Sequence, residues 1–102
     1  MLDKTTAIQI AKRYAQRVVN ELNPSYVILY GSYVNGIPTK DSDLDIAVVI
    51  DNFSGDYLET SALLFRLCRD IDAYVEPILL DSAQDPSGFF EEVMRTGIVL
   101  NS

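Results

Sequence analysis

Two aspartates spaced two residues apart, Asp43 and Asp45, lead into the apolar run Ile46-Ala47-Val48-Val49-Ile50 and carry the strongest chemical signal in the sequence. If residues 42–50 form a strand, side chains alternate between faces. Both carboxylates then project with Ala47 and Val49, while Leu44, Ile46 and Val48 take the other face. Carboxylates about 7 Å apart along a strand repel each other. A divalent cation removes that repulsion, because Mg²⁺ takes hard oxygen ligands and is commonly held by one or two carboxylates together with substrate phosphates.

Upstream, Gly31-Ser32 follows the apolar run Tyr26-Val27-Ile28-Leu29-Tyr30. Gly31 lets the backbone approach a ligand closely. Exposed N–H groups at such a turn, or at the first turn of a following helix, suit phosphate oxygens, and Ser32 adds a hydroxyl. An isolated Asp-x-Asp is commonly a solvated strand end, and Gly-Ser alone says less. Their combination across a ten-residue connection describes a nucleoside triphosphate site.

A third acid stands in another apolar stretch. Over residues 73–80, Tyr74, Glu76, Ile78 and Leu80 share one face of a predicted strand, and Val75, Pro77 and Leu79 the other. Leaving Glu76 buried and unpaired would cost several kcal/mol or keep it protonated, roughly, so a metal-binding or base role accounts for it. Asp72, just before the strand, competes for that role, and Glu76 is preferred. Pro77 suits an edge strand, because it lacks a ladder donor.

Composition narrows the chemistry further. The chain has no histidine, which excludes a Ser-His triad, an imidazole base and histidine metal ligands. Cys68 is the single cysteine, so neither an intramolecular disulfide nor a cysteine zinc cluster can form; its place in an amphipathic pattern predicts burial. The net charge is −7 and its distribution is uneven: of eight basic residues Lys40 alone lies between Val18 and Phe65, while nine acids fall between Asp41 and Glu76. A nucleic-acid polymer would find no basic track near the site. Asp51, Asp56, Glu59, Asp70, Asp81, Asp85, Glu91 and Glu92 read as solvated acids. No apolar run approaches the roughly 20 residues of a membrane span, and no signal peptide is legible, which leads to a cytoplasmic expectation.

The positioning elements follow from periodicity. Residues 3–22 predict a helix burying Ala7, Ala11, Tyr14, Ala15, Val18 and Leu22, ended by Asn23-Pro24. The strand at 26–30 is apolar on both faces and therefore internal. Asp56, with Glu59 three residues on, caps a helix running to about Asp70, with Leu58, Ala62, Leu64, Phe65, Leu67, Cys68 and Ile71 as candidate core residues. A last helix covers 89–95, with Phe89, Phe90, Val93 and Met94 facing inward and Gly97 stopping it; Ile98-Val99-Leu100 closes the fold or meets a partner. The expectation is one α+β domain over residues 1–102, with a small mixed sheet flanked by helices.

Gly31-Ser32 followed by Asp43-x-Asp45 and the apolar residues 46–50 resembles the nucleotidyltransferase superfamily typified by DNA polymerase beta. The chain is most similar to its minimal members, the MNT domains found beside HEPN-domain partners in toxin–antitoxin pairs. The resemblance implies the polymerase beta-like fold and two-Mg²⁺ transfer of a nucleoside monophosphate from ATP or another NTP. It assigns Asp43, Asp45 and Glu76 to metal and catalysis and Gly31 and Ser32 to the β- and γ-phosphates. Asn35 stands about where many relatives carry Arg or Lys, and Lys40 is the candidate to compensate. The larger relatives' acceptor-binding domain has no counterpart in 102 residues, so the acceptor site is expected on another molecule. The implied activity is modification of a hydroxyl on a HEPN ribonuclease by its antitoxin. Alternatives are a non-catalytic module that masks its partner, and transfer to a small molecule.

Overall fold

The computed structural model describes residues 3–39, 43–71 and 74–101. Lys40, Asp41, Ser42 and Asp72 lie outside them, so the phosphate role expected for Lys40 and the competition from Asp72 have no structural account.

Helix α1 (Lys4–Leu22) starts where the Asp3 carboxylate accepts a hydrogen bond from the Thr6 N–H at 2.7 Å, an N-cap that satisfies one orphan donor. It ends at Asn23, whose left-handed backbone (φ 47°) lets its N–H donate to the Val19 carbonyl. Strand β1 (Tyr26–Tyr30) leads through Gly31 into the single-turn helix α2 (Ser32–Asn35). Then follow β2 (Leu44–Ile50), α3 (Tyr57–Arg66), β3 (Val75–Asp81), α4 (Phe89–Thr96) and β4 (Ile98–Val99).

The four strands form one mixed sheet in the order β3-β2-β1-β4. Strand β1 is antiparallel to β2 and to β4, while β2 and β3 run parallel. The α+β expectation therefore holds. Strand β1 is internal as its two-sided apolarity required, and β3 is an edge, which suits Pro77.

Register divides the sheet into two unlike faces. On the first, Val27 and Leu29 of β1, Leu44, Ile46 and Val48 of β2, and Val75 and Leu79 of β3 join Ala7, Ala11, Tyr14 and Val18 of α1 and Leu64 of α3 in the larger core. The Tyr14 hydroxyl donates to the Leu64 carbonyl at 2.7 Å, tying α1 to α3 inside that core. On the second face Ile28, Ala47 and Val49 pack beneath Val93, with Tyr30, Ile78, Leu80, Phe90 and Met94 around them.

Three expectations need correction. Helix α3 stops at Arg66 instead of about Asp70, because the chain tightens into i→i−3 hydrogen bonds from Cys68 to Phe65, Arg69 to Arg66 and Ile71 to Cys68. Of its candidate core residues Leu64 and Ile71 are buried, whereas Leu58 is 78% and Phe65 53% exposed, and Cys68 is only half-buried. Several acids expected to be merely solvated fasten the structure instead. Asp85 accepts from the Phe90 and Glu91 N–H groups at the start of α4, while Asp56 caps α3 as the sequence predicts. Asp81 accepts from Asn52, Phe53 and Ala83, and Asp70 pairs with Arg17.

Candidate active site

Strand β2 begins one residue after Asp43, so both aspartates keep the parity that the spacing predicts, on the face of Ala47 and Val49. Asp45 pairs in register with Tyr30 of β1 on one side and Glu76 of β3 on the other. These three residues form one row across three strands on the side away from α1. The Leu44 N–H donates to the Tyr74 carbonyl at 2.7 Å, which holds the approach to β3 beside the approach to β2 and keeps Asp43 near Glu76.

Burial, hydrogen bonding and like charge raise the pKa values of this row. The Glu76 carboxyl is held above the ordinary glutamate range, first by its hydrogen bond with Asp43, then by the charges of Asp43 and Asp45. Asp45 is also raised, by burial first and by Asp43 second. Tyr30 is pushed up by burial and then by the charges of Asp45 and Glu76. Glu76 itself is exposed on its edge strand, so the expected burial of this acid is corrected. What draws it into the row is the parallel register with β2.

Gly31 is the tightest point of the site. Its backbone (φ 84°, ψ −150°) lies in a region open essentially to glycine alone. A Cβ there would stand 2.2 Å from Asp45 Oδ2. The glycine thus reverses the chain into α2 and makes room for the Asp45 carboxylate. Ser32 is the first residue of α2, directly beside it, and Tyr33 anchors that turn by burying its ring in the larger core. Asn35, at the end of α2, brings no positive charge to this loop.

Among the described residues, no group of three or more carboxylate, histidine or cysteine side chains is gathered tightly enough to hold an ion as it stands. The hydrogen-bonded pair is Asp43 and Glu76, with Asp45 set against Gly31. One or two carboxylates are nonetheless what Mg²⁺ commonly takes from a protein, with substrate phosphate and water oxygens completing its shell. Tyr30 was not singled out from the sequence as a member of this row; only the β1–β2 register reveals it.

The family model for "Polymerase beta, Nucleotidyltransferase" matches residues 10–102. The chain belongs to this nucleotidyltransferase family. The crystal structure of a "putative nucleotidyltransferase" from Sulfolobus solfataricus superposes with a TM-score of 0.69 at 20% sequence identity, covering 95% of this chain and 81% of that one; at this identity the likeness concerns the fold. No curated protein matches the chain significantly. No helix among the described residues is long and apolar enough to cross a membrane.

Proposed function

We propose that this chain is a Mg²⁺-dependent nucleotidyltransferase that moves AMP from ATP onto a hydroxyl of a partner protein, and that the partner is a HEPN-domain toxin of the cytoplasm which it neutralises as an antitoxin. The observation that carries the reading is the row Asp45–Glu76 with Asp43 hydrogen-bonded beside it, abutting the Gly31 turn. The three acids offer hard oxygen donors only; Asp45, by burial and the Asp43 charge, and Glu76, by its hydrogen bond with Asp43 and the neighbouring charges, are held above their ordinary values, a cost that a cation would relieve. Two Mg²⁺ ions held by Asp43, Asp45 and Glu76 would stabilise charge on the attacking and leaving oxygens.

The chain's own residues supply the rest. Gly31 and Ser32 hold the β- and γ-phosphates, and Lys40 is assigned a further phosphate contact. Glu76 takes the proton of the acceptor hydroxyl. A bond forms between the acceptor oxygen and the α-phosphorus, the bond from that phosphorus to the bridging oxygen breaks, and pyrophosphate leaves. Scarcity of basic residues around the site supports a protein acceptor over a polynucleotide.

Intact-mass spectrometry of the HEPN-type partner after incubation with this protein, ATP and Mg²⁺ tests the proposal. A nucleotide-sized gain that is lost in Asp43→Asn is expected. Retained transfer in both Asp43→Asn and Asp45→Asn sinks the metal assignment. One observation favours a masking module: the segment from Gly31 to Thr39 carries no Lys or Arg. That reading predicts a stable complex, indifferent to Asp45→Asn, with no mass added.

A further inference from the structure

Helix α3 carries an apolar stripe that its own fold leaves uncovered. Leu58 is 78% and Phe65 53% exposed, and Ala62 between them is exposed as well. At 3.6 residues per turn the three fall within about 60° of one another, and about 100–160° around the helix from the buried Leu64. Beside the stripe Glu59 and Arg66 share a second line along the helix, about 20° apart in projection. They border a groove of about 440 Å³ with Thr60, Ala62 and Leu63. Neither is among the ion pairs of the described residues, which are Arg17–Asp70 and Arg95–Glu92. Tyr57 is tied down elsewhere, since its hydroxyl donates to the Leu79 carbonyl at 3.4 Å.

This arrangement is self-complementary. Leu58 and Phe65 are seven residues apart, and so are Glu59 and Arg66, and the two pairs are centred on either side of Ala62. A two-fold axis at Ala62, perpendicular to the helix and lying between two facing copies of α3, runs the copies antiparallel. It sets Leu58 of each against Phe65 of the other, and Glu59 of each against Arg66 of the other. The small alanine at the crossing permits close approach. We infer that α3 is a self-association surface, through which two copies of this chain pair as an antiparallel, isologous dimer.

Charge selects this occupant over others. An anionic lipid surface would meet Glu59 on the helix and a chain of net charge −7. A second copy meets opposite charges at both ends of the stripe. A ten-residue helix is only about 15 Å long, so the contact falls below the roughly 800 Å² per partner of a standard interface. The dimer is therefore weak and concentration-dependent. The surface lies across the sheet from the acidic row, so it is independent of the proposed transfer reaction.

Sedimentation velocity of the full chain from low micromolar to millimolar concentration is the test. A monomer–dimer equilibrium is expected, abolished by Leu58→Glu or Phe65→Glu. Glu59→Arg and Arg66→Glu should each weaken it about tenfold, and the double reversal Glu59→Arg/Arg66→Glu should restore it, because both cross-pairs are regenerated. All four positions are exposed, and far-UV circular dichroism verifies that each variant folds. A chain that stays monomeric throughout, a dimer indifferent to Leu58→Glu, or a double reversal no better than the single ones overturns the inference. Binding of vesicles of anionic phospholipid by a monomeric chain overturns it in favour of a membrane surface.

Discussion

Ile46 and Asp45 are chain neighbours on opposite faces of one sheet, and the two faces have opposite fates. Beneath α1 and α3, Leu44, Ile46 and Val48 are fully buried in a continuous apolar core. On the other face β2 is apolar only where α4 covers it, at Ala47 and Val49, and acidic beyond the cover, at Asp43 and Asp45. The difference lies in how much sheet each helix spans. Helix α1 has 19 residues and α4 has eight, so the second face is roofed in part and the acidic row stays open to ligand. One face supplies the free energy of folding, and the other carries charge that folding tolerates at a cost.

Breaking the closed face should have the largest effect. Ile46→Ala is expected to lower stability by about 2–5 kcal/mol in urea unfolding, because the site is fully buried and has little freedom to collapse. Gly31→Ala lies at the join between the faces. Strain in its backbone region should cost about 1–3 kcal/mol, and the new Cβ must displace the Asp45 carboxylate. Any nucleotide transfer should therefore fall further than the loss of stability explains. Tyr14→Phe, on the closed face, removes the donor to the Leu64 carbonyl and should cost about 1 kcal/mol, without touching ligand binding.

The smallest effect has the opposite sign. Asp45→Asn should stabilise the metal-free protein at neutral pH by up to about 1 kcal/mol, since it removes a charge that burial first and the neighbouring Asp43 second disfavour. The pH dependence gives its signature. Asp45 and Glu76 have folded pKa values raised above their ordinary ones, so the folded state binds the extra protons. Their favourable contribution is full below the ordinary carboxylate range and is lost as pH rises above it through the raised folded values. The urea midpoint of the wild type should thus fall across that window relative to Asp45→Asn. A wild type and variant that track in parallel would show that the row carries no such penalty.

Much of this was legible in residue order. Alternation along β2 sorted Leu44, Ile46 and Val48 from Asp45, Ala47 and Val49 because strand periodicity is local. Asn23 and Asp56 marked helix ends because caps act over three or four residues. Helix α3 was harder to read: Leu58, Leu64 and Phe65 are all apolar, and only the angle at which the helix meets β3 decides which of them is covered. Asp81 and Asp85 looked like any solvated acids, because the N–H groups they accept from belong to turns whose shape composition does not specify.

The sequence by itself determined the glycine turn, the parity of Asp43 and Asp45, and the family to which the chain belongs. Each depends on spacing within a single segment. The tertiary structure decided that Glu76 faces Asp45 and that Tyr30 completes the row, where Phe89 of α4 packs edge-on against it. Those facts depend on the register between strands far apart in the chain, which is set by how both faces of the sheet pack and not by any one strand.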